Sequence, residues 1–196
     1  MLKIAVTGVI ACGKSLIGSF LESMGLPVCD ADKLVHRLQE PGKPVYNGIL
    51  KEFGDGVLGR DGSLNRTVLG RRIFRNKFER ASLNAIVHPE VRKAWNAWLG
   101  ARKKSRAAVV LIPLFYETGE KKGEWDADIC VAASDNTQLK RLAGKTGSVD
   151  EAKRRIRSQL PVKEKMALSD YVIVNDGTVE SGREQVKRIL RCIMEK

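Results

Sequence analysis

The chain has 196 residues, 43% of them hydrophobic, enough for one sizeable core and too many for a wholly disordered polymer. Lys and Arg outnumber Asp and Glu 35 to 23, a formal net charge of +12. No apolar run approaches the roughly 20 residues that span a bilayer, and the N-terminus turns polar too early for a signal peptide.

Short β-rich apolar runs alternate with helical patterns, which predicts an α/β fold on a parallel sheet. The strands are expected at Lys3–Thr7, Pro27–Cys29, Ala107–Ile112, Ile129–Ala133 and Tyr171–Asn175. A helix is expected from Lys14 to about Met24, with Leu16, Ile17, Phe20 and Leu21 on one stripe and Gly25 as its stop. Residues 41 to 62 are rich in Gly and Pro and read as turns around one short helix. From Asn65 to about Ser105 the pattern is helical and basic, with a break and a new helix expected at His88-Pro89. The last helix starts at Val179. Four dispersed cysteines (Cys12, Cys29, Cys130, Cys192) make no zinc pattern and read as reduced thiols of a cytoplasmic protein.

The charge is concentrated. Residues 66 to 106 carry a local excess of +10 and residues 140 to 165 a further +6, on a body that is otherwise mildly acidic. Either segment alone could be a solvated helix face; together they suggest an anion gripped from two sides.

The sharpest motif is Gly8-Val9-Ile10-Ala11-Cys12-Gly13-Lys14-Ser15, a full match to G-x-x-x-x-G-K-[ST] between a predicted strand and a predicted helix. In that context backbone N–H groups converge on phosphate oxygens. Lys14 reaches the β/γ-phosphates and the Ser15 hydroxyl suits Mg²⁺. The reading is a site for a nucleoside triphosphate. A switch GTPase should carry Asp-x-x-Gly, and no Asp here has Gly three places on. A motor ATPase should end its central strand in acidic residues, whereas this one ends Val110-Leu111-Ile112-Pro113. Small-molecule kinases remain.

Strand two ends in Cys29-Asp30-Ala31-Asp32, beside the phosphate loop in a doubly wound sheet. One of these carboxylates is expected to cap the next helix, and Asp30 suits that place because it comes first. Asp32 is the candidate base for an acceptor hydroxyl.

With these strings in view the chain resembles the dephospho-coenzyme A kinase family. The likeness runs through Thr7-Gly8-x-Ile10-x-x-Gly13-Lys14-Ser15, Asp30-Ala31-Asp32, Leu83-Asn84-x-Ile86-Val87-His88-Pro89 and Pro113-Leu114-x-x-Glu117. It continues through Gln138-Leu139-x-Arg141-Leu142, Arg155-Ile156-x-x-Gln159-Leu160-Pro161 and Asp170-Tyr171-Val172-Ile173-x-Asn175-x-Gly177. The resemblance implies a single three-layer P-loop kinase domain with a five-stranded parallel sheet. Its core would be residues 1–36, 107–139 and 166–196, with a helical acceptor-binding insertion over about 37–106 and a lid over about 140–165. It implies ATP and Mg²⁺, dephospho-CoA as the small-molecule acceptor, and neither nucleic acid nor membrane as partner.

Carried over, Lys14, Asp32, Arg141 and Arg155 are the catalytic set. The loop residues 8 to 15, Arg141, Asn175 and Gly177 would hold the nucleotide, and Ser15 the Mg²⁺. Asp32, His88, Pro89, Pro113, Leu114 and Glu117 would line the acceptor pocket. Two departures stand out. The family loop usually reads Gly-Gly-Ile-Gly-Ser-Gly-Lys, where this chain has Val9, Ala11 and Cys12, and the usual Arg-Asp of the lid appears as Lys145-Thr146. If position 9 or 11 needs a positive φ, a side chain there costs about 1–2 kcal/mol. The alternatives are another small-molecule or nucleotide kinase of this architecture, or a nucleic-acid-binding ATPase that uses the basic helices as a phosphate track.

Overall fold

In a computed structural model of the protein, residues 1–120 and 122–195 are described. They fall into two compact units, Met1–Asp30 with Arg102–Lys196, and Ala31–Ala101.

The first unit is built on five parallel strands: β1 (Leu2–Gly8), β2 (Val28–Asp30), β3 (Ala107–Leu111), β4 (Ala127–Ala132) and β5 (Tyr171–Val174), in the order β2-β3-β1-β4-β5. All five predicted strands form. β1 is central, with Ile4 beside Val109 on one flank and Val6 beside Ile129 on the other. β3 and β4 are buried at every residue, as a sheet covered on both faces requires. Helix α1 (Lys14–Ser23) follows β1 and buries Ile17, Phe20 and Leu21 in the main core, which Val186, Ile189 and Ile193 of the terminal helix also enter. Because β1 and β4 are neighbours, the turn that leaves β1 lies beside the end of β4.

The second unit is helical: α2 (Ala31–Leu38), α3 (Pro44–Phe53), α4 (Arg66–Arg75) and α5 (Lys77–Gly100). Its own core gathers Val45, Ile49, Phe53, Val57, Leu64, Leu69 and Leu83. Asn65 and Asn76 cap α4 and α5, the second accepting from the N–H groups of Phe78 and Glu79 at 2.9 and 3.3 Å. The break expected at His88-Pro89 does not occur. α5 runs through Pro89 as one helix of 24 residues. An interior proline costs about 3 kcal/mol. Leu83 on one side and Val91, Trp95 and Leu99 on the other are all buried, and at about 1.5–3 kcal/mol for each large apolar side chain they outweigh it.

Four more helices complete the first unit: α6 (Asp135–Thr146), α7 (Val149–Arg157), α8 (Val162–Leu168) and α9 (Val179–Met194). No helix of the described residues is long and apolar enough to cross a membrane.

Candidate active site

The phosphate loop leaves β1 at Gly8 and enters α1 at Lys14. At Gly8 an added Cβ would run into the carbonyl oxygen of Val131 on β4, so the entrance of the loop admits no side chain. Gly13, at the helix N-cap, has φ +91°, and a Cβ there would meet the Asn175 amide. Close approach fixes the first glycine of the motif; close approach and dihedral together fix the second.

The hydrogen bonds of the loop give it a polarity. The Cys12 carbonyl accepts from Asn175 Nδ2 at 2.7 Å and from Arg141 Nη1 at 3.4 Å, and the Ala11 carbonyl accepts from Arg141 Nη1 at 3.4 Å. Arg141 Nη2 also donates to the Asn175 carbonyl at 3.0 Å. On the donor side, the Cys12 N–H closes a turn on Val9 and the Ile10 N–H donates to Gln159 Oε1 at 2.9 Å. No side chain caps α1. Among the described residues, no acceptor takes the N–H of Ala11, Gly13 or Ser15. The carbonyls are satisfied from behind while donors and the positive end of a helix stay open, which is the arrangement that holds an anion. The residues therefore fit a nucleotide's phosphates. Ser15 is exposed in the first turn of α1, and its hydroxyl is the hard oxygen that Mg²⁺ prefers.

Of the residues expected at the nucleotide, Arg141 and Asn175 lie directly against the loop. Asn175 is buried, a strut beneath Gly13. Gly177 lies in the turn after β5. Thr7 Oγ1 donates to the Pro113 carbonyl at 3.4 Å, joining the end of β1 to the Pro113–Glu117 turn.

Helices α6 and α7 pack on each other as a hairpin, in the segment expected to be a lid. Gly147, left-handed at φ +69°, ends α6, and Ser148 caps α7. Thr146 Oγ1 donates to the Leu142 carbonyl at 3.1 Å and accepts from the Ser148 N–H at 3.3 Å, so the threonine staples the tip. Lys145 beside it is exposed. Arg155 pairs with Glu151 on its own helix at 2.5 Å and is half exposed; unlike Arg141, it is not brought to the loop. A cavity of about 510 Å³ lies between Val9, Gln138 and Leu139 on one side and Ile156, Gln159 and Val162 on the other.

In the helical unit Asp32 lies in the first turn of α2, and His88-Pro89 stand at mid-length of α5, against which α2 packs.

Comparison with known proteins decides the family. The family model described as dephospho-CoA kinase matches residues 2–181. A dephospho-CoA kinase of Symbiobacterium thermophilum is 42% identical over 96% of this chain and 80% of its own length. This chain belongs to the dephospho-CoA kinase family. A crystal structure from Thermus thermophilus superposes with a TM-score of 0.83 at 31% identity, covering 97% of this chain and 96% of that one. The structure of a dephospho-CoA kinase from Campylobacter jejuni gives 0.72 at 26% identity, covering 98% and 97%. The α/β P-loop kinase architecture and ATP-dependent phosphotransfer follow for this member of the family.

Reading the sequence missed one residue of the kinase that the structure places at the loop. Lys165 on α8 is completely buried, 2.7 Å from Glu117 Oε1 and 3.3 Å from the Gly8 carbonyl. A signal was present: Lys165 falls three residues after Val162 and one before Met166, on the apolar side of a short helix. Gln159, noted only as part of the family pattern, proves to hold the Ile10 N–H.

Away from the loop, the kinase carries a second polar knot at the start of β4. Asp128 is fully buried, accepts from the Tyr116 hydroxyl, and lies 3.2 Å from Lys122 Nζ. Lys122 also reaches Asp170 at 2.9 Å. Burial pushes the Asp128 carboxyl up, and burial followed by the bond to Asp128 pushes the Tyr116 hydroxyl up. Burial would lower Lys122, but its bonds to Asp170 and Asp128 raise it. At the other end of the strands, hydrogen bonds from Thr137 and Ser134 lower Asp176 and tie the ends of β4 and β5 together.

Proposed function

We propose that this kinase transfers the γ-phosphoryl group of ATP to the ribose 3′-hydroxyl of dephospho-CoA, giving CoA and ADP. What carries the reading is the donor-rich phosphate loop backed by Arg141 and Asn175, in a chain whose family pattern runs over residues 2–181.

In this reading the open N–H groups of the loop and Lys14 hold the nucleotide phosphates, and Lys14 meets the charge that develops on the transferring group. The 3′-oxygen of the acceptor forms the new bond to phosphorus, the bond to the ADP oxygen breaks, and Asp32 accepts the hydroxyl proton. Ser15 would hold Mg²⁺, which would supply positive charge to the phosphates. Asp32, His88, Pro89, Pro113, Leu114 and Glu117 line the acceptor side, and Arg155 joins Arg141 when the lid is over the phosphates. The Glu151 pair is no obstacle to the last assignment: a half-exposed arginine on a surface ion pair gives up about 1 kcal/mol or less in exchanging Glu151 for a phosphate.

An ADP-release assay with dephospho-CoA, adenosine, nucleoside monophosphates and single-stranded DNA as alternative second components tests the proposal. Turnover should depend on dephospho-CoA and fall by about three orders of magnitude in Lys14→Ala at unchanged melting temperature. Turnover supported equally by another acceptor, or stimulated by DNA, would overturn it.

A further inference from the structure

Lys165 is the one cation in the buried set of the described residues, and its surroundings give it a task. Lysine is almost never enclosed unless paired. Here Nζ lies 2.7 Å from Glu117 Oε1, whose residue is still about one-fifth exposed, and 3.3 Å from the carbonyl of Gly8, the first residue of the phosphate loop. The same Glu117 oxygen accepts the Leu160 N–H at 3.2 Å. One residue before Leu160, Gln159 takes the Ile10 N–H at 2.9 Å. Four contacts thus join three segments: the entrance of the loop, the turn after β3, and the stretch from the end of α7 into α8.

We propose that Lys165 is a positioning residue: it fixes the Glu117 carboxylate relative to the phosphate loop and thereby sets where the acceptor sits against the group to be transferred. The inference rests on the proposed function, in which Glu117 lines the acceptor side.

Two physical points support it. A buried ammonium is a poor way to gain stability, because an apolar side chain of similar volume is often as good or better. Its value lies in holding a particular partner in a particular place. Secondly, one of its two contacts falls on a group of fixed position. The Gly8 carbonyl is locked against β4 by a backbone too close for a Cβ, so it serves as the reference from which Glu117 is placed. With Lys165 replaced by methionine, Glu117 keeps, among the described residues, only the Leu160 N–H and can turn toward water through its exposed edge.

Variants Lys165→Met, Glu117→Gln and the double substitution test this, read by steady-state kinetics with dephospho-CoA, by the Kd of a fluorescent ATP analogue, and by melting temperature. Lys165→Met should raise the acceptor KM and lower kcat, for a combined loss in kcat/KM of about 10²-fold, with nucleotide Kd changed about threefold or less. Glu117→Gln should show the same acceptor-side loss, and the double variant should be no worse than the poorer single, because both act through one carboxylate. A Lys165→Met enzyme that melts lower but keeps the wild-type acceptor KM has lost a merely structural residue, which overturns the proposal. Multiplying losses in the double variant overturn it too. Should Lys165→Met not fold, Glu117→Gln alone decides: a defect in nucleotide Kd in place of acceptor KM refutes the assignment. A wild-type enzyme inactive toward dephospho-CoA would instead refute the proposed function, a result separate from all of these.

Discussion

Ala11 is the only described non-glycine residue with positive φ, at +59°, and it lies in the middle of the phosphate loop. An L-residue in the left-handed region carries about 1–2 kcal/mol of strain from Cβ against its own carbonyl. Replacing Ala11 by glycine removes the strain but loosens the unfolded chain, at a cost of about 0.4–1 kcal/mol. The methyl group is no deep anchor, since Ala11 is only half-buried, so little packing is lost. The expected net gain is about 0.5–1 kcal/mol, which for a chain of this length raises Tm by about 1–4 °C. Thermal melting by circular dichroism, repeated as urea titration at 25 °C, measures it. Ala11→Val is the reciprocal probe, because a β-branched side chain is worse still at this dihedral. Ala11→Gly with an unchanged or lower Tm would refute the reasoning, showing that the loop does not keep this backbone in solution.

Four further outcomes follow from the structure. Asp32→Asn should lower kcat far more than it raises KM, whereas Asp30→Asn should be mild if Asp30 caps α2, because Asn caps almost as well; steady-state kinetics on the pair distinguishes base from cap, and reversed effects move the base to Asp30. Arg141→Ala, which removes three hydrogen bonds at the back of the loop, should cost about 3 kcal/mol in kcat/KM. Arg155→Ala should cost about 1–2 kcal/mol and Lys145→Ala less, and a ranking led by Lys145 would restore the lid tip as the main clamp. On the alkaline side, Tyr116 and Lys122 titrate above their ordinary 10.0 and 10.5, so their contribution is complete below those values and is lost as pH rises beyond them through the raised values of the folded state. The slope of Tm against pH above about 10 should therefore flatten in Tyr116→Phe, and an unchanged slope would remove the Asp128 knot from the account.

What the sequence made legible was what local chemistry decides. The strands could be read because a strand buried on both faces is a nearly continuous run of Val, Ile and Leu, and Ala107–Leu111 is buried at every position. The phosphate loop could be read because its spacing leaves the backbone few choices. Pro89 is the opposite case: the local rule favours a break, and only the buried residues on either side of it reveal that packing wins. Lys165 and Gln159 escaped for a related reason. Their partners, Glu117, Gly8 and Ile10, lie 48 to 157 residues away in sequence, and no periodicity connects them. Ala11 lies between these cases. That a side chain at position 9 or 11 could be strained follows from the motif, but which of the two takes the positive φ is settled by the turn that the Cys12 N–H makes onto Val9.

The three loop positions where this kinase departs from its family's usual glycines and serine are not equivalent, and their differences compensate. Val9 and Cys12 are 6% and 1% exposed and belong to the main core, together with Ile129 and Val131 of β4. Burying a valine side chain contributes about 1.5–3 kcal/mol, and a buried thiol behaves as a small hydrophobe. Burial pushes the Cys12 thiol up, so it is packing rather than a nucleophile. Ala11 costs about 1–2 kcal/mol in the backbone. Between two residues anchored in the core, that cost can be carried without the loop changing its path, because Arg141 and Asn175 grip the same peptide carbonyls from behind. A glycine-rich loop keeps conformational freedom that binding must remove. This loop gives up that freedom at folding, through side chains that a glycine-rich version lacks, and meets its anion with the donors already in place.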